Sequence, residues 1–294
     1  MAGVGMTQTD SREQGLIATL LAAVPLRATA MIVTIYGDVV VPRGGVLWMG
    51  ALVEICAALG ISETLVRTAV SRLVAAGQLV GERVGRRSYY RLAEAAGQEF
   101  AAAARLLYGP ASDATGWMIH HAPGLADDVI RRAGLARIGA DLYLRPAHDG
   151  AMAVPGLVFR AEVAMGGADL PTYVAGLWPL DSHAAGYHAM IAQFRPVATW
   201  LAQGGALGPA QALVARLLLV HAYRGVLLRD PRLPVAALPA DWPGAAARAL
   251  FAQLYPLLSA RADSYVGAHF DGGSGLLPAQ TPQTQARLRT LAEG

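Results

Sequence analysis

The chain of 294 residues contains no lysine, so all 24 of its basic side chains are arginine. A GC-rich genome produces the same bias, so usage alone names no partner. Its physical consequence is that every cation is a planar fork suited to phosphate oxygens and guanine edges. Charge is also sparse: 15% of the residues are charged and the formal net charge is +3. That balance does not make the whole molecule a binder of polyanions, so any such footprint has to be local. The single cysteine, Cys56, excludes an internal disulfide framework and a multi-cysteine zinc site. It falls in an apolar helical pattern, reads as a small buried hydrophobe and fits a reducing compartment. No apolar run reaches the roughly 18 residues of a membrane span. The richest stretch, ALVARLLLVHAYRGVLL, is broken by Arg216, His221 and Arg224. The start, MAGVGMTQTDSREQG, carries Asp10 and Glu13 with only Arg12, unlike the basic opening of a secretory peptide. A cytoplasmic protein with no membrane partner is expected. A G-x-S-x-G elbow, a Walker loop and an internal repeat are all missing.

What is present is punctuated helix, then hairpin. Residues 1–24 read as a disordered tail. PLRATAMIVTIYGDVV reads as a helix stopping near Gly37, and PRGG as a loop. VLWMGALVEICAALG reads as a second helix closed by Gly60. Ser62 then offers an N-cap to a third helix that ends at Gly77. LVGERV and SYYRL follow as two strands joined through Gly85 and Arg86. In the third helix Val66, Ala69, Val70, Leu73 and Val74 share an apolar face. The opposite face holds Thr64, Arg67, Thr68, Ser71, Arg72 and Ala75, short residues punctuated by two forked donors. Helix, tight turn, helix and hairpin is the order of a winged helix-turn-helix, whose second helix enters the major groove. From Ser62 to Leu92 six arginines face two acids, a local +4 that exceeds the net charge of the whole chain. RVGRRSYYR, residues 83–91, concentrates that charge where a duplex backbone would pass.

The fold class expected is α+β and multidomain. The winged helix-turn-helix spans 25–94, an Ala-rich linker helix 95–112, and a ferredoxin-like sandwich 113–180. A helical domain spans 181–270, and 271–294 reads as a second disordered tail.

The stretches IVTIYGDVVVPRGG and LGISETLVRTAVSRLVAAGQLVGERVGRRSYYRL carry a specific likeness. So do HAYRGVLLRDPRLPVAALPADWPG and the later LFAQLY, with weaker matches at GWMI and ADLYLRP. Across residues 28–265 the chain closely resembles the PaaX-type repressors of phenylacetic acid degradation and their relatives. The resemblance implies a winged helix-turn-helix, a middle domain similar in fold to Cas2 nucleases (Cas2-like), and a helical C-terminal domain. It also implies a homodimeric transcription factor released from its operator by an aryl-acyl-CoA such as phenylacetyl-CoA. Relatives regulate other aromatic or acid catabolic pathways, which keeps other acyl-CoA or small-acid effectors open.

The candidate DNA contacts are Thr64, Arg67, Thr68, Ser71 and Arg72 on the reading helix, with Arg83, Arg86, Arg87 and Tyr89 on the hairpin. The bland alternative is a solvated helix face, with Arg67 or Arg72 paired to Glu63 or Glu82, and a polar hairpin tip. Tyr89 and Tyr90 point to opposite faces of their strand, one into the core. An acyl-CoA needs cations beside an apolar slot, which makes His221, Tyr223, Arg224 and Arg229 the candidate effector contacts. Their alternative is local capping and pairing at a helix end. Nuclease chemistry wants converging carboxylates, but the first middle strand supplies His120 and His121. His183 and His188 miss the i,i+4 spacing of a helical metal pair. No catalytic residue, metal or cofactor is therefore expected.

Overall fold

The computed structural model describes residues 8–23, 26–110, 114–148 and 151–293. In chain order these form α1 (Gln8–Ala22), α2 (Ala28–Ile35), β1 (Val46–Trp48), α3 (Met49–Ala58), α4 (Glu63–Ala75), β2 (Leu79–Val84), β3 (Arg87–Leu92) and α5 (Glu94–Tyr108). There follow β4 (Trp117–His121), α6 (Asp127–Arg132), β5 (Ala136–Arg137), β6 (Leu142–Pro146), β7 (Leu157–Ala161) and α7 (Leu170–Ala175). Helices α8 (Leu180–Ala202), α9 (Pro209–Leu227), α10 (Gly244–His269) and α11 (Pro282–Glu293) complete the fold. The class is α+β, with two small sheets among helices.

Two compact units divide these elements, and neither is a continuous stretch of chain. The first comprises Met1–Pro110, His188–Leu228 and Ala246–Gly294; the second comprises Ala111–Tyr187 and Arg229–Ala245. This differs from the sequential partition: the stretch expected as one domain at 25–94 shares a unit with 188–228 and 246–270 of the expected helical domain, whose remaining residues fall in the second unit. The reason is a buried ionic cluster. Helix α2 runs through Gly37 into a π-helical turn, Tyr36–Val40, which carries Asp38. Arg216 of α9, 1% exposed, sets its Nε 3.0 Å from Asp38 Oδ2 and its Nη1 2.5 Å from Asp263 Oδ1 of α10. Arg43 holds the same Asp263 oxygen at 2.6 Å. The hydroxyls of Tyr108 and Tyr255 donate to Asp38 Oδ1 at 3.0 and 2.8 Å. Ions taken out of water are tolerable only when paired and hydrogen-bonded this fully. An isolated 25–94 fragment loses Arg216, Asp263 and Tyr255, leaving Asp38 and Arg43 without their partners. Such a fragment is expected to show no cooperative thermal transition by circular dichroism; a sharp one would mean that the cluster is dispensable.

Both expected tails are ordered in their described residues. Helix α1 buries Leu20, while Glu13 Oε1 accepts from the Gly208 amide at 2.7 Å. In α11, Arg287 lies over the Tyr108 ring at 4.1 Å and donates to the carbonyls of Gly37 and Asp38. Few apolar residues hold either segment, so composition does not reveal them. The helix read from Val46 begins later, because Val46–Trp48 pairs antiparallel with β3, and the first sheet runs β1-β3-β2. Trp48 is aromatic and Val46 β-branched, which favours that extended start.

In the second unit the strand order is β5-β6-β4-β7, and all neighbours are antiparallel. The first middle strand expected to carry His120 and His121 is β4. Among the described residues no helix joins β6 to β7. Trp117, Leu144, Val174, Trp178 and Leu233 form the core on one sheet face. Ala122, Leu135, Tyr143 and Val154 form a second core cluster.

Candidate nucleic-acid interface

The turn between α3 and α4 is Leu59–Gly60–Ile61. Gly60 has φ +76°, a left-handed conformation that lets the chain reverse within three residues. Ser62 occupies the N-cap position, although its hydroxyl makes no capping bond. Val66, Ala69, Val70 and Leu73 of α4 are buried. Val74, expected with them, is exposed. Thr64, Arg67, Thr68, Ser71, Arg72 and Ala75 all face outward.

The hairpin supplies the second wall. Gly81 pairs with Tyr90 and Arg83 with Ser88, so these four share the face turned towards α4. Together with Arg67, Val70, Ser71 and Val74 they line an open groove of about 470 Å³. At 81, a Cβ would come within 2.8 Å of the Tyr90 ring, so glycine permits that close approach.

The predicted contacts divide into three groups. Thr64, Ser71, Arg72 and Arg86 are exposed and make no ion pair among the described residues. Arg67 is exposed but already engaged: its Nε and Nη2 lie 2.8 and 2.6 Å from Glu63 Oε1, the pairing weighed as its bland alternative. Thr68 donates to the Thr64 carbonyl, and Arg83 to the Gly85 carbonyl, both on the surface. Arg87 and Tyr89 lie on the opposite hairpin face. Arg87 Nη1 is 2.7 Å from Asp271 Oδ2, and its guanidinium stacks over Trp48 at 4.7 Å. Tyr89 is 8% exposed and donates to the same Asp271 oxygen. It is therefore the core tyrosine of the pair, which corrects its expected role, and Tyr90 is the one in the groove.

The proposed effector residues do not form one group. Tyr223 is buried and stacked on Phe251 with ring centroids 4.6 Å apart. His221 Nδ1 lies 3.0 Å from Thr34 Oγ1, and burial together with Arg224 lowers its pKa. Burial also lowers the pKa of Arg224, against the opposing charge of Glu99. Arg229 is exposed and belongs to the second unit. Among the described residues no three His, Cys, Asp or Glu side chains gather as a metal site, and no helix is long and apolar enough to cross a membrane.

The family model described as PaaX-like protein matches residues 27–96, which hold α3, α4 and the hairpin. That described as PaaX-like protein C-terminal domain matches residues 178–268. The chain belongs to the PaaX-like family. Within it, the transcriptional repressor PaaX of Escherichia coli (strain K12) is 32% identical over 280 residues, spanning 87% of this chain and 88% of that protein. Among solved structures, an uncharacterized protein from Mycobacterium tuberculosis aligns over 73% of this chain and 89% of its own, with 22% identity and a TM-score of 0.43. Both halves of the family signature, 27–96 and 178–268, contribute residues to the core built around Asp38 and Arg216.

Proposed function

We propose that this chain is a sequence-specific, DNA-binding transcriptional repressor with no enzymatic activity, acting in the cytoplasm as a homodimer. In this reading α3, α4 and the β2–β3 hairpin are a winged helix-turn-helix, and α4 reads base edges in the major groove. The observation that carries it is the outward face of α4: short side chains and two arginines bordering a groove whose other wall is the hairpin. The name of the Escherichia coli relative points the same way. A C2 dimer would set two reading helices about one helical turn apart, on a pseudo-palindromic operator. The second unit's strand order agrees with a ferredoxin-like, Cas2-like outline. Its first strand offers histidines where such a nuclease needs acids, so cleavage is not proposed. Anisotropy titrations with the DNA upstream of its own operon test the reading. No preference over random duplex at physiological salt would defeat it.

Arg67→Ala should relax preference at one base pair, costing on the order of 1–3 kcal/mol for the right base. Because Glu63 already holds Arg67, Glu63→Gln should tighten binding to operator and random duplex alike. A uniform loss with Arg67→Ala would instead make that residue a phosphate contact.

For the effector we propose an aryl-acyl-CoA of the phenylacetyl-CoA type, on the strength of the family resemblance. Linkage requires operator DNA to weaken effector binding by the same factor that the effector weakens DNA binding, typically 5- to 150-fold. Calorimetry with phenylacetyl-CoA, free phenylacetate and plain CoA separates this effector from a small acid. Binding by none of the three would remove it.

A further inference from the structure

Three arginines are buried among the described residues: Arg43, Arg145 and Arg216. The first and last are neutralised by Asp263 and Asp38. Arg145, in β6 and 7% exposed, makes no ion pair among the described residues. Its Nη1 donates to the Met152 carbonyl at 2.8 Å, and its Nε is buried without a partner. A guanidinium does not shed its proton inside a protein, so among the described residues this charge has no counter-ion.

A second unsatisfied group lies beside it. His120 of β4 is 1% exposed, and neither ring nitrogen has a hydrogen-bond partner. The register pairs His120 with Tyr143 and Met118 with Arg145, which puts His120 and Arg145 on the same sheet face in adjacent rows. Arg137 pairs with Tyr143, and Arg160 with Met118, so both rows end in a further arginine. Arg137 sits over the Tyr143 ring at 5.0 Å, and Arg160 reaches the Thr115 hydroxyl at 3.4 Å. Neither row contains Asp or Glu. Burial, then the Arg145 charge, lowers the His120 pKa, so the free imidazole is neutral at pH 7. Each unsatisfied buried polar atom keeps the full cost of its lost hydration. Water can answer a neutral N–H group, but it does not neutralise a buried guanidinium.

We propose that His120 and Arg145 form the floor of a binding site for the oxyanion of a small molecule, a carboxylate or a phosphate group, flanked by Arg137 and Arg160. The anion supplies the countercharge that Arg145 lacks and accepts an N–H of His120. This site does not depend on the DNA-binding reading, and its test uses no DNA.

Thermal unfolding of the full chain in chloride buffer at constant ionic strength is titrated with inorganic phosphate or with acetate. One of the two should raise the midpoint saturably, and which one does so distinguishes a phosphate from a carboxylate source. In Arg145→Met the anion-dependent shift should vanish. In plain chloride that variant should unfold at or above the wild-type temperature, because an unpaired buried charge has become an apolar chain of similar length. His120→Gln should weaken anion binding at least threefold. The proposal is overturned if neither anion shifts the midpoint, if the shift survives in Arg145→Met, or if His120→Gln binds as the wild type does. It is equally overturned if Arg145→Met unfolds at a lower temperature in plain chloride or fails to fold. That result would make Arg145 a structural donor already satisfied by the Met152 carbonyl and water.

Discussion

Asp38→Ala is expected to destabilise the first unit by about 3–5 kcal/mol, the usual consequence of removing one partner from a buried ion pair. The substitution takes away the acceptor of two tyrosine hydroxyls and one of the two counter-ions of Arg216. It leaves Arg216, Arg43 and Asp263 buried with a net positive charge. Urea denaturation at pH 7, followed by circular dichroism with the slope checked against wild type, measures the loss. A change below about 1 kcal/mol would mean that desolvation had cancelled the attraction. The same carboxyl governs acid sensitivity. Burial alone would raise its pKa, but Arg216 and Arg287 hold it below the ordinary carboxylate value. Its stabilisation is thus fully present above the unfolded-state pKa, about 3.9, and is lost as pH falls through the folded value. Asp38→Asn should accordingly flatten the fall of stability on acidification below about pH 4.

Removing two exposed hairpin arginines that make no ion pair among the described residues, Arg83→Ala with Arg86→Ala, should lower affinity for operator and random duplex alike. The expected loss is on the order of tenfold to a hundredfold near 0.15 M salt, with the slope of log affinity against log salt flattened by about two units. Arg87→Ala should flatten it less, because Asp271 already occupies one of its donors on the far face of the hairpin. Anisotropy across a salt series reads all three values. An unchanged slope in the double variant would reduce RVGRRSYYR to a solvated hairpin tip.

The outward face of α4 was legible because its periodicity and its neighbours in sequence decide it. The turn at Gly60, the six-residue strands and the alternation of Tyr89 with Tyr90 are local in the same way. Which of the two tyrosines is buried was not legible, since the answer is Asp271, 182 residues further on. Arg216 read as a charge interrupting an apolar helix. Nothing near it announces Asp38 or Asp263, because an ion pair across 178 residues leaves no periodic trace. Helices α1 and α11 were missed for the same reason: each is held by a few polar contacts and one or two apolar residues, with no apolar stripe. The candidate effector residues were grouped by nearness in sequence, whereas the helix keeps His221 and Arg224 on one side, turns Tyr223 into the core and leaves Arg229 to the second unit.

The hairpin's far face is completed only by the turn at Asp271, and the ionic cluster only by Asp263 and Arg287. On a ribosome, α3, α4 and the hairpin emerge long before any of these residues. Until more than 260 residues have left the exit tunnel, Tyr89 lacks its acceptor and Arg43 and Arg216 lack Asp263. The nascent chain therefore presents α4 already packed on α2 and α3, but without the completed ionic cluster or the far wall of the hairpin. The first unit therefore completes its core at the end of synthesis rather than domain by domain from the N-terminus.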